Sequence, residues 1–500
     1  MSERPNILLI TSDQQHFSTL GVTNPRIQTP ALDRLCAEGT RFDRAYTCNP
    51  VCSPTRASII TGLYPSVHGC WTIGVKLPED VPTVGDYLHQ AGYHSALLGK
   101  AHFQPLASYP DQTSLEAQPT LREIDFWRQF GGPWYGFDQI ELCRNHADEA
   151  HAGQHYAAWM EDNGLPNWRD YFQDWPSNQP KRHHHWDLPQ EYHYTHWTAE
   201  RSIAHVERCV AAEQPFFTWA SFHDPHPPYL VSEPWASMYD PAEMEPGRLT
   251  QGEHDFSPPY LRLTQEERPD FSAFKEEHGS HGCHTHRHRE ERLRQDTAIY
   301  YGMVSFMDHE IGRLLGRLDE LGVADNTLVV FTSDHGHYLG QHGLIAKGPF
   351  HYEDGIRVPF IVRCPGQVPA GRVSDELQSL VDLTPTFLAA AGLEVPGAMQ
   401  GLDQMSCWRG EGQVRDHVVC ENRHQPTRLH LRTYLDTRHK LTVFRTADFG
   451  ELYDLVEDPG ETRNLWDEPS AAALKSEVLL RMVQADLRRE PTRLPRIAGA

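Results

Sequence analysis

Long apolar segments and an excess of basic residues are both missing from this sequence. No apolar run approaches the ~20 residues that a transmembrane helix needs, so we expect no membrane partner. Asp and Glu outnumber Lys and Arg by 68 to 45, and the resulting net charge of −23 argues against nucleic acid as a partner. Residues 1–5 lead directly into an apolar run and leave no room for a signal peptide, so a cytoplasmic protein is expected.

Closely paired cysteines are missing as well. The ten cysteines include no C-x-x-C pair, which favours reduced thiols over a disulfide framework. Cys52 has an unusual context, because Pro54 suits the first turn of a helix that continues from Arg56. This places Cys52 at or just before a helix N-terminus, where free N–H groups favour an anion and a reactive thiolate. The alternative is a partly buried cysteine without any chemistry.

Short apolar runs alternate with amphipathic segments along most of the chain. The runs at 7–10, 93–98, 216–222 and 327–332 are typical of strands buried on both faces of a parallel sheet. We expect an α/β fold with a large mixed, mostly parallel sheet flanked by helices on both faces. A smaller C-terminal α+β subdomain with a short antiparallel sheet is expected over 411–500, after a catalytic domain at 1–410. Irregular inserts are expected near 103–197 and 227–294.

Chemically useful side chains follow four of these predicted strands. Ligands collect beyond the carboxyl ends of the strands in an open α/β sheet, so these side chains are expected to share one site. They are Asp13, Lys100 with His102, His226, and Asp334 with His335. Each of these residues, taken alone, also has a purely structural interpretation, such as an Asp that ends a strand in a turn.

Asp13 and Asp334 are the expected metal ligands, with Gln14 and His335 beside them. Because oxygen ligands dominate this set, one divalent metal, most simply Ca²⁺, is expected. The imidazole and the carboxamide leave Mn²⁺ and Zn²⁺ open.

The segment around Cys52 resembles the signature of the formylglycine-dependent sulfatases, which belong to the alkaline phosphatase superfamily. The matching motifs are C-x-P-x-R followed by ASIITGLYP, PNILLITSDQ, TSDHG, the G-K-x-H of Lys100 and His102, the histidine His226, and Lys347-Gly348 ahead of YEDGIRVP. Many members have a second aspartate where Gln14 stands. The D-Q and D-H combination is similar to a branch that contains choline sulfatases and phosphonate monoester hydrolases.

This resemblance implies a mechanism for hydrolysis of a small sulfate ester, such as a sugar, aryl or choline-type sulfate. A formylglycine-generating enzyme would convert Cys52 to an aldehyde, whose hydrate would be the nucleophile and a ligand of the metal. Arg56 would hold this diol, and Lys100 and Lys347 would bind sulfate oxygens. His226 with Lys347 would protonate the leaving alcohol, and His102 would take the proton from the second hydroxyl so that sulfate is released.

Two other functions stay open at this stage. The same nucleophile would serve a phosphonate monoester or phosphodiester hydrolase. If Cys52 stays unconverted, the protein would bind oxyanions without catalysing a reaction. The histidines at 183–185 and 278–288 are expected to belong to solvated inserts rather than to a second metal site. The aromatic residues of the first insert would line a substrate pocket or pack internally, and a homo-oligomer is left open.

Overall fold

The computed structural model describes residues 4–110, 112–144, 152–172, 184–274, 288–424 and 427–490. The strands are β1 (Asn6–Ser12), β2 (Thr40–Phe42), β3 (Ala45–Tyr46), β4 (His94–Gly99), β5 (Gln139–Leu142), β6 (His184–His185), β7 (Phe216–Ser221), β8 (Leu230–Val231), β9 (Thr327–Ser333), β10 (Tyr338–Leu339), β11 (Ile345–Ala346), β12 (Arg357–Val358), β13 (Phe360–Arg363), β14 (Arg372–Ser374), β15 (Gln378–Ser379), β16 (Val418–Arg423), β17 (His430–Leu435), β18 (His439–Phe444) and β19 (Gly450–Asp454). The α-helices are α1 (Pro30–Glu38), α2 (Cys52–Thr61), α3 (Pro65–His68), α4 (Val84–Gln90), α5 (Ile124–Gln129), α6 (Gln154–Asp162), α7 (Tyr194–Ala211), α8 (Pro259–Leu263), α9 (Glu290–Glu320), α10 (Glu353–Ile356), α11 (Leu383–Ala390), α12 (Met405–Trp408) and α13 (Ala472–Arg488).

The central sheet has the strand order β14-β2-β13-β9-β1-β7-β4-β5. Strand β1 pairs in parallel with both β7 and β9, and β4 pairs in parallel with β7 and β5. The antiparallel member is β13, which lies between β9 and β2. The predicted mixed, mostly parallel sheet is therefore confirmed.

Helices cover both faces of this sheet, as the buried strand β1 requires. Its side chains alternate, so that Ile7 and Leu9 pack with α2, α4 and α11, whereas Leu8 and Ile10 face α1, α7 and α9. We call α1, α7 and α9 the outer helical layer. None of the described helices, including the 31-residue α9, combines the length and the apolar composition that crossing a bilayer requires.

The predicted C-terminal antiparallel sheet is present as β16-β17-β18-β19. Helix α13 packs on this sheet through Val478, Met482 and Ala485, in a cluster that also includes Cys48 and Tyr64 of the larger part of the chain. The domain boundary near residue 410 stays a prediction.

The region 103–197 contains more regular structure than the sequence predicts. It holds α5 and α6, and β5 extends the central sheet by parallel pairing with β4. Strand β5 has only four residues and buries only Ile140 and Leu142, so the expected continuous apolar run is absent. The apolar run at 358–362 forms two strands rather than one, because Pro359 separates β12 from β13 and has no N–H to donate to a ladder.

Candidate active site

Four chain segments converge beyond the carboxyl ends of β1, β9, β7 and β4. Register pairing of Ser12 with Ser333 places Asp13 beside Asp334, and both carboxylates are fully buried. Lys100 follows β4, and its backbone N–H donates to the backbone carbonyl oxygen of Ser221 at 3.0 Å. Residues that lie far apart in the sequence thus meet at the sheet edge that the apolar runs predict.

Cys52 is the first residue of α2, with Val51 as an extended N-cap residue. The sulfur lies 3.0 Å from Lys347 Nζ, 3.2 Å from His335 Nε2 and 3.6 Å from Asp13 Oδ1. All ten residues of α2 are buried, so the sulfur is held rigidly at the helix N-terminus. The predicted position of the thiol relative to this helix is confirmed.

Cations outnumber anions immediately around this sulfur. Arg56, one turn along α2, donates from Nε to Asp334 Oδ2 at 2.8 Å and from Nη1 to Ser221 Oγ at 2.7 Å. Lys100 Nζ donates to Asp13 Oδ2. We call Asp13, Cys52, Arg56, Lys100, Asp334, His335 and Lys347 the strand-end cluster.

The electrostatics of this cluster favour an anion at position 52. Burial and Asp13 raise the pKa of Cys52, but Lys100 and Lys347 lower it enough that the pKa lies below the ordinary thiol value. Burial lowers the pKa of Lys347, but Cys52 and Asp13 raise it above its usual value. A lysine ammonium beside a thiolate is therefore the stable pairing.

His226 joins the cluster through Lys347. Its Nε2 lies 3.1 Å from Lys347 Nζ, and its Nδ1 lies 2.5 Å from Pro227 O. Since the carbonyl can only accept, Nδ1 carries the proton and Nε2 accepts from the lysine. The Lys347 ammonium is thus the proton-bearing member of this pair.

His102 is buried and has a left-handed backbone with φ of 63°. Its N–H donates to Glu116 Oε1 at 2.9 Å, and Arg144 Nη1 donates to the same oxygen. Glu116 and Arg144 form a buried ion pair that fixes the segment carrying His102. Sequence reasoning missed this pair, because neither residue falls in a motif or after a predicted strand.

Gln14 has a left-handed backbone with φ of 64°, and its side chain is 1% exposed. Its N–H donates to Asp334 Oδ1 at 3.0 Å, and its Nε2 donates to His337 Nδ1 at 2.7 Å. Its Oε1 accepts no hydrogen bond from the described residues. His337 lies two residues beyond His335 in the sequence, and this hydrogen bond orients the side chain of Gln14.

The donor atoms present fit one divalent cation. The ligand atoms of Asp13, Cys52, Asp334 and His335 all lie within 4.8 Å of one another. The carboxamide oxygen of Gln14, buried and left without a hydrogen bond, is what a metal ligand provides before its ion binds. Two carboxylates and an amide oxygen suit a hard cation, with a single imidazole as the softer member.

These contacts bring together Asp13, Gln14, Cys52, Arg56, Lys100, His226, Asp334, His335 and Lys347. His102 lies two residues beyond Lys100. The catalytic and ligand roles of all these residues stay predictions. His184 Nε2 lies 2.9 Å from Asp296 Oδ1, and His185 Nδ1 lies 3.7 Å from Glu233 Oε1. His183 and the run 278–287 lie outside the described residues. Most aromatic residues of the first insert are core, since Trp127, Trp168, Trp186 and Tyr194 are each 1% exposed.

Comparison with known proteins agrees with this geometry. Residues 5–393 match the family described as Sulfatase, and residues 340–488 match the family described as N-sulphoglucosamine sulphohydrolase, C-terminal. The chain belongs to the sulfatase family.

Individual relatives extend over nearly the whole chain. An arylsulfatase of Clostridium perfringens is 30% identical over 478 residues, which cover 92% of this chain and 90% of the relative. A choline-sulfatase of Rhizobium meliloti is 26% identical, with 93% and 83% covered. The solved structure of the phosphonate monoester hydrolase of Agrobacterium radiobacter superposes with a TM-score of 0.79 at 25% identity, covering 98% of this chain and 97% of that one. This sulfatase is thus an enzyme of the sulfuric ester hydrolase class.

Proposed function

We propose that this sulfatase hydrolyses a small sulfate monoester by means of a formylglycine formed from Cys52 and one divalent metal ion, Ca²⁺. The observation that carries the proposal is the position of the Cys52 sulfur, 3.0 Å from Lys347 Nζ and 3.6 Å from Asp13 Oδ1 at a buried helix N-terminus. An anionic nucleophile at this point is stabilised by cations and by the helix. Arg56, Lys100, His102, His226 and Lys347 are the proposed catalytic residues.

The metal ion would be held by Asp13, Gln14, Asp334 and His335, together with position 52. When bound, the ion and the hydrated aldehyde supply Lewis-acid polarisation and a strong oxygen nucleophile. The buried Arg56 holds Asp334 in its ligating orientation through the 2.8 Å bond from Nε. Its Nη2 is buried without a hydrogen bond to any described residue, so it is available to an oxygen at position 52.

The remaining side chains deal with the charge of the substrate and with protons. The ammonium groups of Lys100 and Lys347 neutralise sulfate oxygens in a pocket from which water is excluded. Lys347, with His226 behind it at 3.1 Å, supplies the proton that the leaving alkoxide needs. We assign to His102 the removal of the proton that allows sulfate to depart and the aldehyde to re-form.

The names of the relatives point to two candidate substrate classes, sulfate esters and phosphonate monoesters. Sulfated substrates are implied by the names of the arylsulfatase and the choline-sulfatase. The phosphonate monoester hydrolase shares nearly the whole fold, which favours phosphonate monoesters as the second candidate substrate class. Maturation by a formylglycine-generating enzyme and a cytoplasmic location are further parts of the proposal.

Three measurements test the proposal. Peptide mass spectrometry of the segment containing Cys52 is expected to show the mass loss of thiol-to-aldehyde conversion. Side-by-side kcat/KM values for an aryl sulfate and an aryl phosphonate monoester, with metal analysis, are expected to favour the sulfate and to show bound calcium. Cys52→Ala is expected to abolish turnover, whereas the matched Cys36→Ser variant, which changes a buried cysteine on α1, is expected to retain it.

An unconverted Cys52 in active enzyme would contradict the formylglycine proposal. A higher kcat/KM for the phosphonate ester would instead assign the protein to the second substrate class.

A further inference from the structure

A second group of metal-binding side chains lies at the opposite end of the central sheet from Cys52. His94 is the first residue of β4, and His205 and Cys209 lie one turn apart on α7. The ligand atoms of these residues fall within 4.8 Å of one another. Lys100 is the sixth residue after His94 along an extended strand, which corresponds to roughly 20 Å, so this group is separate from the strand-end cluster.

The distances within this group approach those of a tetrahedral zinc site. Cys209 Sγ lies 3.5 Å from His205 Nε2, and His94 Nδ1 lies 2.9 Å from the same nitrogen. Zn–N bonds of about 2.0–2.1 Å and a Zn–S bond of about 2.3 Å place ligand atoms about 3.3–3.6 Å apart in a tetrahedron. The distance from Cys209 Sγ to His205 Nε2 is already in this range. His94 Nδ1 and His205 Nε2 need to move apart by only about 0.4 Å to reach it.

The surroundings keep the two imidazoles in the form that binds metal. Burial lowers the pKa of His205 to about 3, and burial also lowers the pKa of His94. Both rings are therefore neutral near pH 7, as a metal ligand must be. His205 Nδ1 lies 2.9 Å from Thr218 Oγ1 on β7, the kind of outer hydrogen bond that orients a ligating histidine.

We propose that His94 Nδ1, His205 Nε2 and Cys209 Sγ form a binding site for a borderline divalent metal ion of the Zn²⁺ class. His94 is half-buried, so a water molecule can complete the coordination. On binding, the Cys209 thiol releases its proton to solvent, and the proton between the two imidazoles moves to Nε2 of His94. The site joins α7 to β4 and touches none of the residues assigned to the sulfatase reaction.

Cobalt is the probe for this site, because a thiolate bound to Co²⁺ gives an intense charge-transfer absorption. The purified enzyme is stripped with a chelator, supplied with excess Ca²⁺ to occupy the strand-end cluster, and titrated with Co²⁺. One equivalent of Co²⁺ per chain is expected to produce the charge-transfer band, and Zn²⁺ is expected to displace it. Absence of the band in the wild-type enzyme would overturn the proposal.

Three cysteine variants locate the thiolate. Cys209→Ser is expected to lose the band, while Cys36→Ser, a buried helical cysteine in the same outer helical layer, is expected to keep it. Any unconverted Cys52 would be a second thiolate able to bind cobalt, and Cys52→Ser removes it. This variant is therefore also expected to keep the band. Loss of the band in Cys52→Ser, or its persistence in Cys209→Ser, would place the cobalt elsewhere. Thermal melts without metal verify that each variant is folded.

Discussion

The strand-end cluster and the outer helical layer both bury ionisable groups, and the charges beside each buried group decide its ionisation. Cys52 is fully buried, yet Lys100 and Lys347 bring its pKa below the ordinary thiol value. In the outer helical layer, burial raises the pKa of Cys209 to about 11 and that of Asp308 to about 7. Burial alone therefore favours neutral groups, and a reactive anion requires cations placed beside it.

The largest expected effect comes from removing a counter-ion inside the cluster. Arg56 and Asp334 form an ion pair in which both side chains are 0% exposed. Arg56→Ala leaves the Asp334 carboxylate buried without its partner, so we expect a loss of about 3–5 kcal/mol in the free energy of unfolding. Urea unfolding in the presence of chelator measures this loss.

The control for this prediction is a solvent-exposed arginine of the outer helical layer. Arg34 pairs with Glu38 and Asp319 at the surface, so Arg34→Ala is expected to cost about 0–1 kcal/mol. Equal losses in the two variants would mean that burial does not distinguish the two regions.

The second prediction concerns Lys347, whose ammonium group lies beside the Cys52 sulfur. Lys347→Ala removes the ammonium 3.0 Å from the sulfur and 3.1 Å from His226 Nε2. We expect kcat on an aryl sulfate to fall about 10²–10³-fold, as for loss of one preorganised donor. Lys475→Ala on α13 is the matched control and should leave kcat unchanged. A change in KM alone would show that Lys347 only binds the substrate.

The contrast between these regions also explains what the sequence could predict. Asp13, Lys100, His226 and Asp334 each follow an apolar run that became a buried strand, so their shared edge follows from topology. Cys52 and Arg56 could be placed because Pro54 and the C-x-P-x-R motif mark a helix start. These signals are local, so they can be recognised in a single sequence.

Features that depend on long-range packing could not be predicted. Strand β5 is held by pairing with β4 over four residues and has no distinctive pattern of its own. The Glu116–Arg144 pair and the Gln14–His337 bond join residues with no characteristic spacing. The meeting of His94 with His205 and Cys209 likewise needs the packing of α7 on β4, which only the folded chain reveals.

The third prediction concerns Asp308, a buried carboxylate with no counter-ion among the residues that the structure describes. Asp308 accepts hydrogen bonds from Ala31 N and Leu32 N at the start of α1, yet burial raises its pKa from 3.8 to about 7. The folded state then binds a proton more tightly than the unfolded state. The contribution of Asp308 is fully present below about pH 4 and is lost as the pH rises through 7.

Asp308→Asn tests this pH dependence because it removes the ionisable group, while its amide oxygen still accepts one of the two backbone hydrogen bonds. Between pH 5 and 7 the wild type is expected to lose about 2 kcal/mol more than Asp308→Asn in the free energy of unfolding. Asp319→Asn, at an exposed position of the same helix, should keep the wild-type pH dependence. Parallel curves for wild type and Asp308→Asn would show that Asp308 is ionised throughout this range.

The smallest expected effect concerns the group formed by His94 of β4 with His205 and Cys209 of α7. Thr218→Val keeps the shape of the buried side chain but removes the 2.9 Å contact with His205 Nδ1. We expect Co²⁺ affinity at this site to fall about tenfold, the lower end of the range for outer hydrogen bonds to a ligating histidine. The charge-transfer band at saturation should be unchanged, because all three ligands remain. Thr442→Val on β18 is the control, and a merely structural role for Thr218 would lower the melting temperature without weakening cobalt binding.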